Sequence, residues 1–242
     1  MFGEEMWWAL IKLILFDLDD TLFDFTDTWN IVLPRMFAEH PALQSVDAQA
    51  FFQAFQTNSD ALFVHYERHV YTLEQYRNER LLQTAAGFGL SFTPEEAAAF
   101  NAGFVERYLL SLQPKPETQE LLRHLEPRYQ LGIVTNGPHD MQAGKLEKLG
   151  LQPFFPADAV WVSHVVGYGK PDRRIYELAL ARFGVKPEEA LFVGDSWEAD
   201  VAGPMRAGLQ AVWLNKYGRP RPQSDVTPLA EIAALRELLD IV

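Results

Sequence analysis

Three carboxylates, Asp17, Asp19 and Asp20, follow directly on the apolar run LILF (13–16). Such a run reads as a buried strand. A buried strand does not carry unpaired ionised carboxylates, because desolvating them is costly. Either the strand ends at Phe16 and the acids lie in a solvated loop, or a positive charge sits on them. Other chemistry-bearing residues stand in the same relation to later apolar runs. Thr135-Asn136-Gly137 follow QLGIV, Gly169-Lys170-Pro171 lie in the loop beyond AVWVS (159–163), and Asp195-Ser196 and Asp200 follow ALFVG (190–194). Asp17 and Asp195 make a hard oxygen site of the kind Mg²⁺ favours. A carboxylate such as Asp17 can attack phosphorus and form an aspartyl-phosphate. Lys170 and Thr135 can hold charge developing on the phosphoryl oxygens. Asp19 can protonate a departing alcohol and later take a proton from the attacking water.

Five strands position these groups: KLILFD (12–17), QLGIVT (130–135), AVWVS (159–163), ALFVG (190–194) and QAVWLN (210–215). Helical patterns ending before Gly150, Gly184 and Gly208 separate the later ones, with glycine as the stop signal. Alternation of this kind predicts an α/β fold, a Rossmann-like parallel sheet with helices on both faces. Ligands bind beyond the carboxyl ends of strands in such sheets. More than 100 residues separate the first run from the second, and they carry helical signals of their own: DTWNIVLPRMF, AQAFFQAFQTNSDALFVHYERH, TLEQYRNERLLQTA and TPEEAAAFNAGFVERYLLSL. Thr93-Pro94-Glu95-Glu96 predicts a capped helix start. The expected organisation is a core of residues 1–22 and 112–242 with a helical cap inserted at 23–111. QPKPET (113–118) marks the return to the core, NKYGRPRPQSDVT (215–227) a loop, and TPLAEIAALRELLD a closing helix.

The bulk properties narrow the function. The net charge of -12 over 242 residues excludes a general nucleic-acid binder. An enzyme acting on anions needs a metal or a local lysine to reverse that field. The absence of cysteine excludes disulfides, thiolate metal sites and thiol nucleophiles. His65 and His69 have the spacing of a helical metal pair but no further ligand pattern. MFGEEMWWAL lacks the basic region of a signal peptide, and no run reaches the ~18 apolar residues of a membrane span. The expectation is a cytoplasmic protein with no nucleic-acid or membrane partner. Trp7–Trp8 is expected to pack onto the surface, and the sequence leaves oligomeric state open.

FDLDDT (16–21), IVTNG (133–137), GKP (169–171) and VGDSWEAD (193–200) resemble the four motifs of the haloacid dehalogenase (HAD) superfamily, in its phosphatase branch with an α-helical cap of the C1 type. The resemblance covers nearly the whole chain. It implies Asp17 as nucleophile and Asp19 as acid/base. The metal ligands would be Asp17, Asp195 and the backbone carbonyl of Asp19. Thr135 and Lys170 would sit on the phosphoryl group, with Asp200 and Ser196 supporting the metal waters or Lys170. Read without the family, Ser196 would simply cap a helix. The position after Asp19, often Gly in the family, is Asp20. DDTLFDF, TNG, GYGKPDRRIYELAL and GDSWEADVAGPMRAG look most like housekeeping pyrimidine 5′-nucleotidases. The implied function is Mg²⁺-dependent hydrolysis of a small phosphorylated metabolite, a nucleotide or sugar phosphate. The alternatives are a sugar-phosphate mutase of β-phosphoglucomutase type, a 2-haloacid dehalogenase, which Asp19 disfavours, and an inactive scaffold. Substrate contacts are expected from Thr21, Asn136, Phe25 and Trp29. Phe23, Arg35, His65, Tyr66, His69, Arg77 and His139 are further candidates for lining the pocket.

Overall fold

The computed structural model describes residues 10–242; the Trp7–Trp8 pair lies outside the described residues. Leu13, Ile14, Leu15 and Phe16 form β1 (Leu13–Phe16), and all four are fully buried. Side chains alternate between faces along a strand, so burial at every position requires cover on both faces. β1 pairs with β2 (Gln130–Thr135) on one side and β4 (Ala190–Gly194) on the other. With β3 (Val160–Val162), β5 (Gln210–Leu214) and β6 (Ala230–Ile232) the sheet has the order β3-β2-β1-β4-β5-β6, parallel throughout. The chain winds outward to β3 and then resumes on the far side of β1. That reversal lies between β1 and β4, where open parallel sheets hold their ligands. Phe16 stands opposite both Ile133 and Val193, so the residues following β1, β2 and β4 emerge side by side.

The chain divides into two compact units, one running through Asp24 and resuming at Gln113–Val242, the other Phe25–Leu112. The crossings expected after residues 22 and 111 fall slightly earlier than these. Phe23 and Asp24 go with the sheet because the Asp24 carboxylate accepts hydrogen bonds from Lys115 and from Lys216, the latter at 2.8 Å. The helical unit holds α1 (Phe25–Glu39), α2 (Ala48–Glu67), α3 (Leu73–Gly87) and α4 (Pro94–Ser111). Its core is aromatic. Phe37 stacks on Phe100 with ring centroids 5.6 Å apart and meets Phe51 and Phe55 edge-on. Thr93 and Glu96 form the expected capping box, each side chain bonded to the other's backbone N–H.

The sheet-bearing unit adds α5 (Pro116–Leu125), α6 (His139–Lys148), α7 (Ser163–Val166), α8 (Arg173–Phe183) and α9 (Gly203–Arg206). Ile175, Tyr176 and Ala179 of α8 pack against Leu13, Leu15, Val134 and Phe192 on one sheet face. α5 was not anticipated beyond the turn at 113–118. Its signals are a first-turn proline and a buried stripe of Thr118, Leu121, Leu122 and Leu125. Trp197–Ala202 winds as a π-helix ahead of α9, beginning two residues before the helical segment ADVAGPMRA expected there.

The closing helix expected over 227–240 does not form. Ala230–Ile232 instead makes β6, followed by a 3₁₀ segment at Leu235–Asp240. The open edge of β5 supplies the reason. Leu229 N–H bonds to Ala211 C=O and Asn215 N–H to Ile232 C=O, both at 2.8 Å. A covered edge satisfies backbone groups that local helix propensity would leave exposed. Among the described residues no helix is long and apolar enough to cross a membrane.

Thr93→Ala removes one capping bond at the start of α4 and is expected to cost about 1 kcal/mol, read as a lower denaturation midpoint in urea followed by far-UV circular dichroism.

Candidate active site

Asp17 leaves the end of β1 with its backbone N–H still bonded to Val193 C=O at 2.9 Å. The continued ladder holds it against β4. Lys170 Nζ donates to Asp17 Oδ1 and to Asp200 Oδ1, both at 2.6 Å. The lysine is fixed from behind as well. Its backbone N–H donates to Asn136 Oδ1, and its C=O accepts from Asn136 Nδ2, both at 2.8 Å. Asn136, expected at the substrate, thus spends both ends of its amide on the backbone of Lys170. Asp200 is 1% exposed and accepts from Ser196 N–H through Oδ2 at 2.9 Å. Ser196 does this with its backbone; its side chain caps no helix. Gly194 makes room for this packing, since a Cβ there would fall 2.4 Å from Asp200 Cγ.

Carboxylate oxygens of Asp17, Asp195 and Asp200 all lie within 4.8 Å of one another. These three acids face the Lys170 ammonium, and the Arg219 guanidinium stands 3.9 Å from Asp195 Oδ2, which leaves the acids in surplus by one charge. Burial, then the neighbouring charges of Asp200 and Asp19, raise the Asp17 pKa well above the usual carboxylate range despite Lys170. Burial and the charges of Asp200 and Asp20 push Asp195 up to about 6. Burial works against the Lys170 charge, but Asp17 and Asp200 outweigh it and its pKa is raised. Carboxylates crowded until they hold protons are the donor set of a hard divalent cation, and these residues fit Mg²⁺. The third carboxylate in the cluster is Asp200. The side chain of Asp19 turns elsewhere, to Lys145 Nζ at 2.6 Å.

Asp20 occupies the left-handed region with φ 60°, a conformation that Asp tolerates better than most residues and Gly adopts freely. The same turn is therefore open to the glycine often found there. Thr135 is fully buried at the end of β2; its Oγ1 accepts from Gly137 N–H at 3.0 Å. The hydroxyl of Thr21 is buried with no hydrogen-bond partner. Phe25 and Trp29 lie in the helical unit, their rings 5.7 Å apart, with Trp29 5.2 Å from Phe104. Arg80, absent from the expected set, lies buried there with its guanidinium 5.0 Å from the Trp29 ring. His65 and His69 are not a helical pair. α2 ends at Glu67, and His69 has φ 57°. His139 stacks on His164 at 4.8 Å. Sequence reasoning also missed Lys145 and Gln142. The available signal was the inward stripe of α6, where both share a buried face with Met141 and Leu146.

The doubly wound sheet, with carboxylates and a buried lysine at its switch point, defines an α/β enzyme working from the carboxyl edge of its strands. The chain belongs to the haloacid dehalogenase-like hydrolases, whose family profile matches residues 11–208. Pyrimidine 5′-nucleotidase YjjG of Escherichia coli (strain K12) is 31% identical over 93% of this chain and 95% of its own length. The solved structure of the HAD-hydrolase YfnB from Bacillus subtilis bound to magnesium aligns with a TM-score of 0.78 at 27% identity, covering 96% of this chain and 98% of that one. The 2-haloacid dehalogenase from Pseudomonas syringae pv. Tomato DC3000 aligns at 0.68 and 29% identity, covering 96% and 97%.

A raised carboxyl pKa weakens the folded state as the group ionises. In the metal-free protein the Asp195 contribution therefore destabilises progressively from about pH 4, near its ordinary 3.8, to about pH 6. Asp195→Asn is expected to raise the melting temperature of metal-free protein at pH 7.5 and to remove the stabilisation by added Mg²⁺. For wild type, calorimetric titration should show weaker Mg²⁺ binding at pH 5 than at pH 7.5, since the cation must displace a proton.

Proposed function

We propose that this protein is a Mg²⁺-dependent phosphatase hydrolysing a small phosphomonoester, a nucleotide or sugar phosphate, through an aspartyl-phosphate on Asp17. The observation that carries this reading is the convergence of Asp17, Asp195 and Asp200 within 4.8 Å around the buried Lys170 at the sheet's switch point, with the acids in surplus even after Arg219 is counted. Asp17, Asp195 and the backbone carbonyl of Asp19 would hold Mg²⁺, which when bound supplies positive charge to the phosphoryl oxygens.

The remaining roles belong to the chain. Lys170 holds the Asp17 carboxylate in one orientation and offers charge to the phosphoryl group. Asn136 and Asp200 fix that lysine from two sides. An Asp17 oxygen attacks phosphorus as the ester P–O bond breaks, and the protonated Asp19 carboxyl gives its proton to the departing alkoxide. The resulting Asp19 carboxylate then takes a proton from water, whose oxygen attacks phosphorus, releasing inorganic phosphate and restoring Asp17. The Thr135 hydroxyl is free to donate to a phosphoryl oxygen while accepting from Gly137. Asp19 also separates this reading from dehalogenation, because a halide leaves without a proton whereas an alkoxide needs one. YjjG, by its name a pyrimidine nucleotidase, supports a nucleotide as the first substrate to try.

Phosphate release from a panel of nucleoside monophosphates, sugar phosphates and phosphoglycolate is expected with Mg²⁺ and lost in EDTA. Asp17→Asn should abolish it. Asp19→Asn should cut turnover on alkyl esters by about 10²–10⁴-fold. Halide release from 2-chloropropionate without phosphate release from any ester would overturn the reading, and conversion of β-glucose 1-phosphate to its isomer would redirect it to a mutase.

A further inference from the structure

Lys145 is fully buried in the last turn of α6. Its Nζ donates to Asp19 Oδ1 at 2.6 Å and lies 5.6 Å from the ring centroid of Phe23. The other oxygen of Asp19 is also confined. A Cβ on Gly137 would fall 2.4 Å from Asp19 Oδ2 and 1.9 Å from Gln142 Nε2. A side chain at position 137 would displace one or both of these groups. Asp19 is thus gripped on one oxygen by an ammonium and packed on the other against bare backbone.

Fold stability alone is a poor reason for this arrangement. Desolvating an ion pair consumes much of what the contact returns, and apolar residues of similar volume often serve a fold as well. A buried lysine whose partner is the one acid two residues beyond Asp17 calls for another reason. We propose that Lys145 is the positioning residue of Asp19, fixing the direction in which its carboxyl faces the leaving oxygen of the substrate. The proposal rests on the reading of Asp19 as acid/base, and it gives Lys145 no contact with the phosphoryl group. Gln142, three residues earlier on the same helix face, extends the support to Thr135, with Nε2 at 3.5 Å from Oγ1.

The step served is protonation of the leaving alkoxide, so the test varies the leaving group. kcat/KM, which reports steps through ester cleavage, is measured for Lys145→Met and Lys145→Gln on esters from p-nitrophenyl phosphate to β-glycerophosphate, with Mg²⁺. A misdirected acid should cost about 10- to 100-fold on the alkyl ester and less than about threefold on the aryl ester, whose leaving group needs little proton assistance. The inhibition constant of inorganic phosphate should not change. Added to Asp19→Asn, either substitution should cause no further loss, because the two residues act as one unit. An equal loss on all esters, or additive losses in the double variant, would reduce Lys145 to a structural role. A tenfold rise in the phosphate inhibition constant would make it a phosphate ligand. Either result overturns positioning while leaving the phosphatase reading intact, whereas wild type inactive on every ester overturns the phosphatase reading first. Circular dichroism checks whether each variant is folded. If Lys145→Met does not fold, Lys145→Gln decides, because it keeps a donor but loses the charge.

Discussion

A fully desolvated ammonium must be compensated where it lies, and Lys170 meets two carboxylates at 2.6 Å. Asp17 arrives from the end of β1, Asp200 from the π-helical turn after β4, and Lys170 from the loop beyond β3. One cation therefore ties together three segments distant in sequence. The arrangement also fixes the electrostatics of the site. With Asp195 included, Lys170 and the more distant Arg219 guanidinium still leave the acids in surplus, and burial drives Asp17 and Asp195 toward their protonated forms. A divalent cation is the simplest partner that relieves the crowding without dismantling the cluster.

The sheet order makes this convergence possible. With β1 between β2 and β4, three strand ends emerge side by side, and the continued bond from Asp17 N–H to Val193 C=O keeps the first two acidic segments in register. Small residues then allow side chains to approach where a Cβ would collide: Gly194 beneath Asp200 and Gly137 beneath Asp19. The two acids of the first motif are consequently separated by partner as well as by position. Asp17 is held by Lys170 and Asp19 by Lys145, so each carboxylate has its own cation. That division is what a proposed nucleophile and a proposed proton carrier need if they are not to compete for one counter-ion.

Much of the site was legible because each motif sits directly after an apolar run, and the end of a buried strand is a place where polar residues can surface together. The errors have physical causes. The final segment reads as a helix by propensity, but the edge of β5 recruited three of its residues into β6. Ser196 looks like a helix cap, yet its backbone N–H serves Asp200 instead. His65 and His69 have metal-pair spacing, but the helix that would align them stops at Glu67.

The sequence by itself determined the strand positions, the ends at which Asp17, Thr135 and Asp195 emerge, and the helical character of the insert. Those features depend on local periodicity and on chain punctuation, which a linear string records. Only the tertiary structure decided that Asp200 joins Asp17 and Asp195, that Asn136 braces Lys170, and that Lys145 reaches Asp19 across 126 residues of chain. Each of these depends on which side chain meets which in a desolvated interior. There a charge must find its partner in space, and sequence distance says nothing about the search.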